Sequence, residues 1–286
     1  MLDACQLSTN DLKQQAMIKH ILVPTDFSET AKNAFYFAQS LAEELGGAQL
    51  KVVHVFMPSA ESDYPNFVPP VADYLKVREQ MLRDFLAEVD PEGKIDNDIL
   101  IGFAADEVTN ASRHYDLVVM GTTGSGGILN KLFGSVSSNC AQRAHCPVLL
   151  VPSRAAFRGF RQILYASNYE SADDQLLQAL TAFNEPFDAT VHFVHVRESD
   201  GHFDRTKDEI FEELFREGAP SFRFQIAETD GESVAEGLTD YALAHNLDLV
   251  AIAHRQRSFW EGFFHKSRTK QLALATTLPL LVFHCR

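Results

Sequence analysis

This chain carries one pattern twice, and any fold for it must accommodate both copies. The stretch Ile21 to Asp26 reads Ile-Leu-Val-Pro-Thr-Asp, and it recurs as Ile-Leu-Tyr-Ala-Ser-Asn at Ile163 to Asn168. Val53-His54-Val55 recurs as Val194-His195-Val196. Tyr115 to Met120 is echoed by Leu247 to Ile252, and Pro147 to Val151 by Pro279 to Phe283. The offset is 142 between Ile21 and Ile163, 141 between His54 and His195, and 132 between Asp116 and Asp248. Most of the shortening in the second copy therefore falls between its second strand and its third helix. Repetition on this scale bears on the domain count before any local reading does. A chain of 286 residues, 45% hydrophobic, supplies apolar surface for two cores.

Within each copy, short apolar runs bounded by turn residues alternate with helical patterns, which implies βαβ units and a parallel sheet. In the first copy the strands are expected near Ile21–Thr25, Leu50–Phe56, Ile99–Phe103, Leu117–Gly121 and Val148–Val151. Successive Val, Leu and Ile suit strands covered by helices on both faces. A helix over 28–45 sets Ala31, Ala34, Phe35, Ala38, Leu41, Ala42 and Leu45 on one stripe. Ser28 is a candidate N-cap, and Gly46-Gly47 suits the end of that helix. A second helix over 71–89 follows Pro69-Pro70 and a connection from Met57 to Val68, which is expected to be exposed and mobile. Pro152 to Phe160, with its Pro, Ser, Gly and Arg, is the expected linker. The expected domains are residues 1–153 and 160–286.

Charge narrows the partners. A formal net charge of −14 lacks the clustered Lys and Arg that nucleic acid or an anionic membrane face requires. Cys5, Cys140, Cys146 and Cys285 form no CxxC pair, so neither a metal site nor a disulfide framework is expected. Met1 to Met17 lacks a basic segment followed by an apolar core, and no apolar run approaches the roughly 18 residues that span a bilayer. The expectation is a cytoplasmic protein with no membrane partner.

The chemistry is concentrated in one loop. After the fourth strand the first copy reads Gly121-Thr-Thr-Gly124-Ser-Gly126-Gly127-Ile-Leu-Asn-Lys131-Leu-Phe-Gly134-Ser135-Val136. Glycines let backbone amides approach an anion with no Cβ in the way, and the helix that follows offers unpaired N–H groups and the positive end of its dipole. Ser135 adds a hydroxyl and Lys131 a charge. The common alternative for a Gly-rich loop after a strand is a flexible turn. GxxxxGK[ST] is absent, and Gly124-x-Gly126 lacks the third glycine of a dinucleotide fingerprint. A P-loop NTPase and a Rossmann dehydrogenase are thereby disfavoured.

Gly121, Gly124, Gly134 and Ser135 match, without gaps, the Gly-x2-Gly-x9-Gly-[Ser/Thr] signature of the universal stress proteins. Pro24-Thr25-Asp26-Phe27-Ser28 after Ile21-Leu22-Val23 resembles that family's first strand and turn, and His54-Val55 the end of its second. The resemblance covers the first copy throughout and the second more weakly. It implies an α/β fold of two tandem five-stranded parallel-sheet domains, strand order 3-2-1-4-5, similar to the adenine nucleotide alpha hydrolases. It further implies that the halves pair pseudo-twofold through their last strands, and that the first half binds ATP. Pro24, Thr25 and Asp26 would then belong to the nucleotide-facing turn. Asp26 and Val55 would border adenine and ribose, Val55 mainly through its backbone, with Met120 lining the base. Gly121 and Gly124 would approach ribose and phosphates, and Gly134, Ser135 and Val136 would hold the phosphate tail. A strand-end carboxylate and a phosphate loop both lie where open α/β sheets bind ligands. A helix cap is the other reading of Asp26.

Aligned without gaps, the second copy's loop runs from Ala253 to Ser267 and replaces three loop glycines by Ala253, Gln256 and Lys266, while Asp26 becomes Asn168. Side chains there occupy the space a phosphate would need, so one ATP site per chain is expected. Phe259, Trp260, Phe263 and Phe264 in that loop suggest an assembly surface, for a homo-oligomer or a protein partner through the second domain. His54 and His195, equivalent by position, are read as structural. No general base stands beside the loop, so no catalytic residue is assigned and hydrolysis is expected to be slow or absent. No acidic cage marks a metal site, and any Mg²⁺ would be held by phosphates and water. The reading is an ATP-binding, stress-related regulatory protein. A non-nucleotide scaffold, a slow ATPase and a cyclic-nucleotide binder are the alternatives.

Overall fold

A computed structural model describes residues 18–58, 70–123, 134–167, 174–197, 209, 211–212, 215, 219–253 and 278–284. The first half contains β1 (His20–Thr25), α1 (Glu29–Glu44), β2 (Gln49–Phe56), α2 (Val71–Val89), β3 (Asp96–Ile101), α3 (Ala104–Ala111), β4 (Leu117–Gly121), α4 (Ser135–Arg143) and β5 (Val148–Val151). The second contains β6 (Gln162–Ala166), α5 (Asp174–Asn184), β7 (Thr190–Arg197), β8 (Phe224–Asp230), α6 (Val234–Ala244), β9 (Leu249–Ala253) and β10 (Leu280–Phe283). The ten strands among the described residues form one sheet in the order β3-β2-β1-β4-β5-β10-β9-β6-β7-β8. Each half is parallel with the order 3-2-1-4-5, and the two meet where β5 and β10 run antiparallel, Leu281 opposite Leu149.

Strand alternation divides the core into two layers. Ile21 and Val23 lie in the layer that also holds residues of α1, α2 and α5, while Leu22 lies in the layer that holds residues of α3, α4 and α6. Each layer runs across both halves, so the antiparallel seam is buried on both sides. Residues 152–160, expected as a linker, are packed into it. Phe157 and Phe160 sit 5.3 and 6.4 Å from the ring of Phe37 on α1, and Phe160 lies 5.0 Å from Phe187. The Asn33 amide donates to the carbonyls of Pro152 and Ala155 at 2.8 and 2.9 Å.

Local expectations hold at the first helix. Ser28 Oγ accepts from the Ala31 amide, and Gly46 and Gly47 follow the helix at φ of +80 and +95°. The third strand begins earlier than expected, at Asp96, and ends at Ile101. β3 is a sheet edge, where polar residues keep one flank wetted, so Asp96, Asn97 and Asp98 hid it from a search for apolar runs. The connection from Met57 to Val68 lies mostly outside the described residues.

Candidate functional site

Pro24 and Thr25 end β1 and Asp26 follows it, Val55 stands near the end of β2, Met120 and Gly121 end β4, and Gly134 to Val136 open α4. All therefore share the carboxyl-terminal edge of the first half's sheet. Gly124 and Lys131 lie outside the described residues, as do Asn168 and the second loop from His254, with its aromatic residues.

The turn after β1 is tightly determined. Thr25 Oγ1 accepts from the Phe27 amide at 3.0 Å. Asp26 Oδ1 accepts from both the amide and the hydroxyl of Ser28, at 3.1 and 2.6 Å. Ser28 is the helix cap and Asp26 organises it, so the capping reading of Asp26 is met only indirectly. His54 on β2 reaches across the sheet, where Nδ1–H donates to the Thr25 carbonyl at 2.9 Å. Burial lowers the pKa of His54, as does the charge of Arg78, and the bond to Thr25 and the charge of Asp26 act against them. The ring is neutral at physiological pH.

The two ends of the glycine-rich loop are joined on the other side. The Gly134 amide donates to the Thr122 carbonyl at 2.7 Å, and Ser137 Oγ donates to the same carbonyl at 2.8 Å. The start of α4 is thus drawn to the end of β4. Gly134 is the N-cap, with no side-chain cap, and its φ of −69° and ψ of 162° are open to any residue. Packing alone asks for a glycine at Gly121. A Cβ there would lie 2.8 Å from Thr30 Cγ2 and 3.1 Å from the Thr30 carbonyl oxygen. Thr30 Oγ1 also lies 3.4 Å from Thr123 Oγ1, tying α1 to the loop. Met120 is buried in the layer beneath α3, α4 and α6, and Val136 packs against that layer. Thr30, Ser137 and the bond made by His54 escaped the sequence reading, because each depends on a partner distant in the chain.

Cys140 and Cys146 are buried, and burial pushes each thiol up to about 12, so neither is a thiolate nucleophile. Among the described residues no group of three His, Cys, Asp or Glu is placed to hold a metal, and no helix is long and apolar enough to cross a membrane. A cavity of about 520 Å³ opens at the opposite edge of the sheet, by His20, Lys51, Asp96 and Tyr115, and touches none of the expected nucleotide residues.

The profile of the universal stress protein family matches residues 17–152. The universal stress protein MJ0531 of Methanocaldococcus jannaschii is 31% identical over 141 residues, 47% of this chain and 82% of that one. A Thermus aquaticus universal stress protein, encoded in the 3′ region of a QAH/OAS sulfhydrylase, is 34% identical over 140 residues, 47% of this chain and 99% of that one. The crystal structure of a universal stress protein from Archaeoglobus fulgidus covers 93% of this chain and 96% of its own, at 18% identity and a TM-score of 0.66, a likeness of fold across both halves. This chain belongs to the universal stress protein family.

Proposed function

We propose that the first half binds ATP at the carboxyl-terminal edge of its sheet and that the second half does not. In this reading residues 1–153 and 160–286 are two domains of a cytoplasmic regulatory protein. Nucleotide occupancy shifts its conformation or its choice of partner, and turnover is slow or absent. The observation that carries the reading is the opening of α4. Ser, Thr, Asp or Asn would cap such a helix, yet Gly134 stands there with backbone angles that demand no glycine. It leaves the first amides of the helix without a side-chain acceptor, beside the strand end that Gly121 closes. That arrangement suits an anion, which the dipole of the helix also favours.

Asp26, Gly121, Gly134, Ser135 and Val136 fit a nucleotide in kind: a carboxylate for hydroxyl groups, and amides with a hydroxyl for phosphates. Pro24, Thr25, Val55, Met120 and Gly124 complete the proposed set. Bound ATP would supply its own phosphate ligands for Mg²⁺, and Asp26 is the only carboxylate of the set. The second half, with its loop aromatics Phe259, Trp260, Phe263 and Phe264, serves assembly with another copy or a protein partner.

Calorimetric titration of the purified chain with ATP and Mg²⁺ is expected to give one site per chain. Two equivalent sites, or none in a folded sample, would sink the proposal. Sedimentation velocity tests the assembly role, which a monomer at every concentration contradicts.

A further inference from the structure

His54 is 6% exposed and lies in a row of rings. Phe27 is 4.3 Å away at 30°, and Phe56 is 6.4 Å away and parallel. Phe85 lies beyond Phe27 at 5.9 Å. A hydrocarbon ring would suit this row better than an imidazole, because His54 Nε2 is buried and has no hydrogen-bond partner among the described residues. A buried polar atom without a partner costs stability. What histidine does here and phenylalanine cannot is donate to the Thr25 carbonyl.

That bond falls on the peptide that leads into Asp26. One residue further on, Phe27 is held at φ +66°, a region that bulky side chains rarely occupy. Such a conformation persists only where its surroundings over-determine it. Here the determinants are the Phe27 amide bonded to Thr25 Oγ1, the Phe27 ring against His54, and the His54 bond to the carbonyl of Thr25. The same imidazole thus grips both sides of Asp26.

We propose that His54 is the positioning residue of the nucleotide turn: it sets the angle at which Asp26 meets the ligand while touching no ligand itself. The inference rests on the reading of the first half as an ATP site. The second half supplies a control, since His195 Nδ1 donates to the Ser167 carbonyl at 3.1 Å in the equivalent place, where the next residue is Asn168.

The test is calorimetric titration of the full chain with ATP, alongside thermal unfolding. His54→Phe keeps a ring beside Phe27 and removes the donor, and it is expected to weaken ATP on the order of tenfold. His54→Asn, whose Nδ2 stands near the place of the imidazole Nδ1, should stay within about threefold of wild type by the same reasoning. His195→Phe should leave affinity unchanged. Wild-type affinity in folded His54→Phe would overturn the proposal. Should that variant fail to fold, His54→Gln decides, because its donor sits one methylene further out; affinity equal to that of His54→Asn would overturn the proposal too. If wild type binds no ATP, the ATP reading falls, and the ¹⁵N spectrum of the imidazole judges the clamp alone. An Nδ1–H tautomer upholds it and an Nε2–H tautomer overturns it.

Discussion

The two halves keep the same scaffold devices and part company at the ligand edge. In the first, Asp116 Oδ2 accepts from the amides of Lys19 and His20, both at 2.9 Å, and the Asp116 amide donates back to the His20 carbonyl. In the second, Asp248 Oδ2 accepts from Arg161 and Gln162 at 2.8 and 2.9 Å, and its amide donates to the Gln162 carbonyl. The histidine clamps likewise repeat. The loop glycines and the carboxylate after the first strand do not, since Ala253 stands where Gly121 would and Asn168 where Asp26 would. Backbone-directed side chains that close the sheet have survived divergence, and the groups that would face a nucleotide have survived in one copy only. Scaffold and ligand chemistry are therefore separable in this fold.

A reciprocal exchange puts the largest strain on that comparison. Gly121→Ala would place a methyl 2.8 Å from Thr30 Cγ2 and 3.1 Å from its carbonyl oxygen, so the first turn of α1 must move. The expected cost is about 1–3 kcal/mol, the range for an overpacked core, together with weakened ATP binding. Ala253→Gly removes a buried methyl and loosens a central strand, for about 1–2 kcal/mol and no change in ATP binding. Urea midpoints of the two variants give the answer. A neutral Gly121→Ala would mean that the glycine answers to the ligand alone.

The aspartate clips should cost less and cost alike. Asp116→Ala and Asp248→Ala each remove an acceptor for two backbone amides at the sheet's exposed rim. Water can replace part of what is lost, so about 1 kcal/mol is expected from either. Values differing by much more than about 0.5 kcal/mol, outside the usual scatter between independent sites, would show that the halves are less alike than their geometry.

The repeat, the first two helices and the parallel character of the sheet were legible because they rest on period and on local chemistry, whereas the strand order came from the family resemblance. Ser28 and Gly46 announce themselves within a few residues of the helix they bound. The edge strand β3 was misplaced because its polar residues answer to solvent on one flank, which a single-chain pattern does not reveal. Phe37 was left out of the α1 stripe because its partners, Phe157 and Phe160, arrive from the packed connection over a hundred residues later. The glycine signature marked the candidate loop, yet the contact of Gly121 with Thr30 and the bond of His54 to Thr25 needed the fold.

The smallest effect separates the halves by pH, at one aligned position. Lys51 on β2 corresponds to His192 on β7. Lys51 pairs with Asp96 at 2.8 Å, and that bond lowers the carboxyl's pKa from 3.8. His192 is buried, with Nε2–H donating to Gln162 Oε1 at 2.7 Å and Nδ1 accepting from Tyr241 at 2.9 Å. Burial lowers its pKa from 6.5, and nearby His245 lowers it further. The signs follow from linkage. A histidine whose folded pKa is depressed contributes fully above its unfolded value, and the contribution is lost as pH falls from about 6.5 toward the folded value. Asp96 contributes above its unfolded value, and loses its share only as pH falls below about 4. The second half should therefore soften first on acidification. His54, also depressed, adds a loss from the first half in the same window, so the comparison must be made by substitution. In His192→Gln the fall in urea midpoint between pH 7 and 5 should be shallower than in wild type. In Lys51→Met it should be unchanged, with a difference emerging only below pH 4. A wild-type slope in His192→Gln would show that the imidazole takes up its proton at the same pH in folded and unfolded chain, so that burial leaves its pKa unshifted, and the contrast at this position would be one of packing alone.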